Sequence, residues 1–409
     1  MQTPTSRAAT RARWAITAVF GINGMLIASM AVRTPSLKID LGMTPGQLGL
    51  LSAMFGIAAV IMMQTVGNVV ARTGSRVIVR ATTVVLPLLL VGMGVAPSLW
   101  WQILVHLAFG AVHGMLDVTM NAHAVAVQHR LTRPIMNGCH AAWSIGAVAG
   151  ALLGTGAAHI GLSRTAHYLL LSAVVLIPSA VVCGRMLLPA ATDRGTGASP
   201  VGVRAGWRAG WSLRVVLFGV MGAIVLTVEA AVADWSGVYL HDNLSASLGA
   251  AGMGYVMFAI FQTAGRLVGD RLQERTSATR LLRVGTSTAA VGVAVAVASP
   301  WPALSIAGFA LVGAGLATPL PVLFGVVGDL GGDNAGPGAA MTVARFTTLT
   351  YTGILLAPAV IGWFADQVGL RWVLAALAPL LLAVALAAGR VTSGRVRPAS
   401  ERAAAGVAA

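Results

Sequence analysis

The sequence predicts an all-α integral membrane protein of twelve transmembrane helices, and three observations carry the prediction. Of 409 residues, 57% are hydrophobic and only 10% are charged, against about 25% charged in an ordinary soluble domain. The apolar residues fall into runs of about 20, the length that a rise of 1.5 Å per residue needs to cross a hydrocarbon core of about 30 Å. The runs are also too long and too little alternating for barrel strands, which span in about ten residues. A soluble globule is thereby excluded.

The first six runs are 14–32, 47–70, 77–96, 100–127, 135–158 and 167–188. Run one follows Arg7, Arg11 and Arg13 without a convincing small-residue cleavage site, so it reads as an uncleaved first helix. After run six comes Pro-Ala-Ala-Thr-Asp-Arg-Gly-Thr-Gly-Ala-Ser-Pro, a composition that packs poorly and suits a linker. Six further runs follow at 213–233, 250–269, 280–299, 303–328, 338–363 and 371–389. The organisation expected is a six-helix bundle over 1–188, a cytoplasmic linker over 189–212, a second six-helix bundle over 213–389 and a cytoplasmic tail over 390–409. Trp14 and Leu213 open the two halves at an offset of 199, which also carries Ala71-Arg72 onto Asp270-Arg271 and suggests two parallel repeats. No loop is large enough for a separate catalytic domain.

The net charge of +15 could mean nucleic acid, anionic lipid or an orientation signal. Twenty-one of the basic residues fall on alternate connections and the two ends. Only Arg33, Lys38, Arg164 and Arg371 fall on the other side, while Arg266 and Arg345 lie at or within helices. This asymmetry is the positive-inside pattern. It places both termini in the cytoplasm, fits the inner membrane of a bacterium, and leaves no basic face for nucleic acid. The two cysteines, Cys139 and Cys183, sit in apolar runs and build neither a disulfide framework nor a zinc site. No Walker loop occurs, so ATP is not expected as the energy source, and no cofactor or metal is expected.

Ionisable groups inside a membrane are costly and are functional candidates by default. In run four His106, His113, Asp117 and Asn121 share a stripe of roughly 60° at spacings of seven, four and four. Asp117 is the candidate proton acceptor, because burial disfavours a charged carboxylate. His113, one turn away, could share the proton or make a plain interhelical hydrogen bond. In run five Asn137, His140 and Ser144 lie on one face, either for substrate contact or for polar packing beside Gly138, Gly146 and Gly150. Glu229 in run seven is a second proton candidate, and Trp235, just beyond Asp234, reads as an interface anchor. Gln262, Arg266 and Asp270 are each one turn apart, so Arg266 suits a gate or ion pair. Arg345, with Thr348 and Thr352 on its face, could bind an anionic substrate or neutralise a buried acid. Asn23, Asn121, Asn137, His140, Gln262 and Arg345 together form the candidate substrate set. Pro319 and Pro321, after Gly313 and Gly315, predict a bend in run ten.

Twelve helices in two sets of six, with a basic loop between helices two and three, resemble the major facilitator superfamily. The family's loop signature is Gly-x-x-x-Asp-Arg-x-Gly-Arg-Lys/Arg. Here Gly67-Asn-Val-Val-Ala71-Arg72-Thr-Gly74-Ser75-Arg76 keeps both glycines and two basic residues, with Ala71 in place of the acid. The second half keeps Gly265-Arg266-Leu-Val-Gly269-Asp270-Arg271, acid included. Finer features are similar to the fucose-permease branch, in particular its YbjJ-like members. They are Arg33-Thr-Pro35, Gly114-x-x-Asp117-x-x-x-Asn121, Met136-Asn137-x-x-His140-x-x-x-Ser144-x-Gly146, Glu229-x-x-x-x-Asp234-Trp235 and Gly353-x-x-x-x-Pro358-x-x-x-Gly362-Trp363. The resemblance implies a substrate cavity between the two halves, lined chiefly by helices one, four, seven and ten. It further implies a cytoplasmic gate at the loop motifs and proton coupling by an acid at the Asp117 position.

The leading expectation is a monomeric proton-coupled secondary transporter that moves a small polar solute, sugar-like or related, by alternating access. Its partners would be that solute, protons and the lipid bilayer. The alternatives weighed are a proton antiporter exporting an antibiotic or other metabolite, a membrane sensor that binds without transporting, and an integral-membrane enzyme using the histidines. The sensor would want a soluble output domain, and the enzyme a second acidic-histidine motif to complete a metal site.

Overall fold

The computed structural model describes residues 4–131, 135–185, 211–330 and 337–392, and the regular elements among them are all α-helices. They run α1 (Pro4–Val32), α2 (Thr34–Leu41), α3 (Pro45–Thr73), α4 (Ser75–Val95), α5 (Leu99–Leu131), α6 (Met136–His159) and α7 (Arg164–Arg185). After the linker come α8 (Leu213–Leu244), α9 (Leu248–Arg275), α10 (Ala278–Ala298), α11 (Pro302–Leu316), α12 (Pro319–Leu330), α13 (Pro337–Val368), α14 (Leu370–Ala375) and α15 (Leu377–Thr392). Among the described residues, twelve stretches are long and apolar enough to cross a membrane, with α11 and α12 serving together as one and α14 and α15 as another.

Three departures from the expected runs have local causes. Span ten is broken between Leu316 and Pro319. A proline ring clashes with the carbonyl four residues back and supplies no N–H, so the predicted bend becomes an interruption. Span seven continues eleven residues past 233 to Leu244, because Asp234, Ser236, His241 and Asp242 stay helical where an apolar count stops. The connection after α1 contains its own helix, α2, with a proline at its start and a left-handed Gly42 at its end.

The chain clusters into two compact units, Met1–Val201 with Gly237–Val256, and Gly202–Ser236 with Met257–Ala409. In the first unit α1 packs on α6, α3 on α5, and α4 on α5 and α7. Its core gathers Phe20, Leu26, Leu86, Leu90, Phe109 and Met120. In the second unit α10 packs on α11 and α15, and α12 on α13, around Phe218, Met221, Leu282, Leu323 and Phe346.

Lipid tails are as apolar as leucine, so helices in a bilayer associate through close backbone approach rather than through the hydrophobic effect. The seams show this directly. A side chain at Gly146 would run into the Gly21 carbonyl, and one at Gly353 into the Ala223 carbonyl. Likewise Gly110 lies against the Phe55 carbonyl and Gly313 against the Phe258 carbonyl. Phe55 and Phe258 stand 203 residues apart, and so do Gly110 and Gly313, so one packing contact is made twice. The repeat inferred from span offsets therefore recurs as a repeat of glycine seams.

Candidate functional site

In the first unit the polar stripe of α5 is present, but its members have different fates. Asp117 is half-buried. Among the described residues its carboxylate has no hydrogen-bond or ion-pair partner, and beyond the helical ladder its main-chain carbonyl accepts from Asn121 Nδ2 at 2.8 Å. His113 does not bond to it. The imidazole lies against Phe55 with ring centroids 5.4 Å apart, and its Nδ1 is buried without a partner. His106 is buried, and its Nδ1 meets the Gln102 carbonyl at 2.8 Å, a contact within its own helix. The stripe is thus one isolated acid flanked by locally satisfied or apolar-packed neighbours. It contains no proton-sharing pair.

Other first-unit candidates scatter. Asn23 on α1 is fully buried, with Nδ2 pointing at Met120 Sδ (3.7 Å) and Oδ1 unpartnered. His140 on α6 is exposed and packs edge-on against Phe20 at 5.3 Å, with Ser144 Oγ donating back to the His140 carbonyl at 3.2 Å. The side chain of Asn137 lies outside the described residues.

The second unit assembles a cluster from two helices. Arg266 Nη2 on α9 stands 3.7 Å from Glu229 Oε2 on α8, with side chains 36% and 16% exposed. Gln262, one turn before Arg266, is buried beside the same carboxylate. Gln262 Nε2 and Glu229 Oε1 lie outside ideal hydrogen-bond geometry with any described partner, while the Gln262 amide still interacts with the Glu229 carboxylate beside it. A long ion pair beside a loosely engaged amide is a polar cluster whose hydrogen bonds can rearrange. Arg266 therefore faces the mid-span acid Glu229. The side chain of Asp270, its expected helical neighbour, lies outside the described residues. Trp235, read as an interface anchor, is 1% exposed with its indole Nε1 unpartnered, so it does not sit at a lipid–water boundary. Arg345 on α13 covers the Trp211 ring at 5.4 Å, a cation–π contact. Thr348 and Thr352 are exposed on the same helix, and Thr352 Oγ1 donates to the Leu349 carbonyl.

At the α3–α4 junction Gly74 turns the chain at φ 80°, a conformation that favours glycine. Ser75 Oγ, next in sequence, is 2.9 Å from His123 Nδ1 on α5. Arg76 buries an Nε without a partner, and Arg271 is exposed. Gly67 and Arg72 lie within α3, and their surroundings are outside the described residues.

Residues 235–408 match the sequence profile of the Major Facilitator Superfamily. An uncharacterized MFS-type transporter of Yersinia pestis is 34% identical over 379 residues, covering 91% of this chain and 94% of that protein. The chain belongs to the major facilitator superfamily.

Solved structures agree on the fold. The nucleoside transporter NupG aligns with a TM-score of 0.71 at 14% identity, covering 94% of this chain and 99% of that one. A D-xylose–proton symporter aligns with a TM-score of 0.70 at 13% identity, over 94% and 99%. In this multi-pass transporter of the superfamily the signature segment departs from the family pattern at Ala71, near the end of α3, and the Ser75–His123 contact ties α4 to α5.

A set of polar contacts that the sequence does not reveal gathers at the opposite helix ends of the first unit. Lys38 Nζ donates to Asp242 Oδ2 at 2.6 Å, Arg164 Nε donates to Asp40 Oδ2 at 3.0 Å, and Arg33 Nη2 donates to the Leu162 carbonyl at 2.8 Å. Burial pushes the Arg33 guanidinium below the usual arginine range, with Tyr168 and Asp40 acting the other way. The signal was present as the short minority of basic residues on that side. The acidic partners Asp40 and Asp242 gave no such signal, because spacing along one chain does not reveal a pairing across 204 residues.

Proposed function

We propose that the protein is a proton-coupled secondary transporter of a small polar solute, in which Asp117 takes up and releases the proton. The observation that supports this reading is the solitary Asp117 carboxylate. A membrane-embedded acid with no cation beside it is costly as an anion and is relieved by protonation. The cost then depends on whether the surrounding helices admit water, which links proton occupancy to conformation. Glu229, Gln262 and Arg266 are proposed to meet the solute, because a long ion pair and a loosely engaged amide offer both donors and acceptors to hydroxyl or amide groups. The neighbours named as nucleoside and D-xylose transporters favour a polyhydroxylated cargo. The positive-inside pattern favours a cytoplasmic-membrane location, with both termini in the cytoplasm and two six-helix halves joined by the 189–212 linker.

The test is flux in proteoliposomes under an imposed pH gradient, against a panel of pentoses, hexoses and nucleosides. Wild type is expected to accumulate one class when the gradient is present and to equilibrate it when the gradient is collapsed. Asp117→Asn is expected to exchange the solute across the membrane without accumulating it. Gradient-driven accumulation by Asp117→Asn overturns the assignment of Asp117, and gradient-independent accumulation by wild type overturns proton coupling.

A further inference from the structure

Along α10, in the second unit, two hollows adjoin. One, of about 490 Å³, lies where α9, α10 and α11 meet and is lined by Arg280, Val284, Gly285, Thr288, Gly315 and Thr318 among others. The other, of about 420 Å³, is lined by Arg283, Val284, Ser287, Thr288, Val291 and Leu311. They share Val284 and Thr288, so they form one furrow on the outer surface of the helix pair. The furrow exists because its floor is made of small residues. Gly285 and Gly315 let α10 and α11 approach so closely that a side chain on either would meet the other helix's backbone, and Ser287 and Thr288 fill little of the space above.

The chemistry of the furrow is graded along its length. At the α9–α10 turn stand Arg280 and Arg283, both exposed and without an ion-pair partner among the described residues. Arg283 lines the second hollow with its guanidinium resting over Gly389 of α15. There is no acidic residue within α10. Further along, exposed Val284, Val291 and Leu311 make the walls apolar. From Arg280 to Val291 is roughly 16 Å at 1.5 Å per residue, close to half of a hydrocarbon core of about 30 Å. A furrow one leaflet deep, cationic at the water end and apolar at the bilayer end, complements a molecule with an anionic head and an acyl chain.

We propose that this furrow is a binding site for an anionic phospholipid, with the headgroup phosphate held by Arg280 and Arg283 and an acyl chain lying over Val284, Thr288 and Val291. Basic pockets between membrane helices select anionic headgroups by charge, while the acyl slot adds affinity that a soluble anion lacks. Placing the site in the cytoplasmic leaflet rests on the orientation proposed above; the binding itself does not.

The full chain in neutral detergent is titrated with phosphatidylglycerol, phosphatidylcholine of matched chains, or inorganic phosphate, and bound lipid is counted by native mass spectrometry alongside the thermal midpoint. Phosphatidylglycerol is expected to bind and raise the midpoint, with phosphatidylcholine and phosphate ineffective. Arg280→Gln/Arg283→Gln is expected to weaken phosphatidylglycerol binding roughly tenfold or more. Thr288→Phe, which fills the furrow and leaves both arginines, is expected to weaken it as well. Arg271→Gln/Arg275→Gln, on the neighbouring α9, serves as the charge control and is expected to bind as wild type does. Equal effects of the two lipids on wild type overturn the proposal, as does phosphate acting as strongly as lipid. So do full binding by the Arg280/Arg283 variant or an equal loss in the Arg271/Arg275 control. If the Arg280/Arg283 variant fails to fold, undiminished binding by Thr288→Phe overturns the acyl slot on its own.

Discussion

The two units share a scaffold and differ in their charges. Gly146 against Gly21 in one corresponds to Gly353 against Ala223 in the other, and Gly110 against Phe55 to Gly313 against Phe258. Their buried acids share no such likeness. Among the described residues the Asp117 carboxylate has no partner, whereas Glu229 faces Arg266 at 3.7 Å with Gln262 alongside. Packing that must be dry and close is constrained by backbone geometry and is made the same way twice. The acids are free of that constraint, which is why the proposal gives proton movement to the first and polar recognition to the second.

The largest expected effects test the sameness. Gly146→Ala and Gly353→Ala each force a methyl group into a facing carbonyl, and both should lower stability by about 3 kcal/mol or more, read as the shift in thermal or denaturant unfolding of the purified protein. Gly138→Ala, where a Cβ meets nothing within 4 Å, should be neutral or stabilising by up to about 1 kcal/mol, because alanine is the better helix former. A large loss at only one of the two seam positions would break the equivalence of the scaffolds.

Smaller effects test the difference. Arg266→Gln leaves the Glu229 carboxyl unpaired in a buried site, and should cost about 1–2 kcal/mol once the partial exposure of the pair is taken into account. Glu229→Gln/Arg266→Gln should recover most of that loss in a double-mutant cycle, while additive losses would show that the pair is not coupled. Asp117→Asn, with no cation to strand, should leave the unfolding midpoint unchanged or raised. The smallest effect belongs to Lys38 and Asp242, 21% and 31% exposed. Lys38→Gln and Asp242→Asn should each cost less than about 1 kcal/mol, and no more together than singly.

Most of the fold was legible in the sequence because a bilayer imposes a length rule on apolar runs, and Leu213 needs no partner to mark the start of a helix. The bend at Pro319 was legible for an equally local reason. The site was legible only as a set of residue types. That Asp117 would stand apart from His113 while Glu229 would face Arg266 depends on which helices meet, and one helical turn of spacing says nothing of that. Trp235 was misread because apolar bulk beside an acid looks the same at an interface as in a packed interior. The pairing of Lys38 with Asp242 and of Arg164 with Asp40 was not legible, because charges near helix ends are ordinarily solvated and only the packing of α2 brings these together.

The central claim, that the isolated acid moves the proton while the paired one serves recognition, is tested most directly by proton uptake. A pH-sensitive dye sealed inside proteoliposomes reports acidification when the transported solute is added outside, with no gradient imposed beforehand. Wild type should acidify the lumen in proportion to solute entry. Asp117→Asn should admit solute with no acidification, and Glu229→Gln should keep the proton-to-solute ratio while needing more solute for half-maximal rate. An unchanged ratio in Asp117→Asn, with the ratio abolished in Glu229→Gln, would contradict the account.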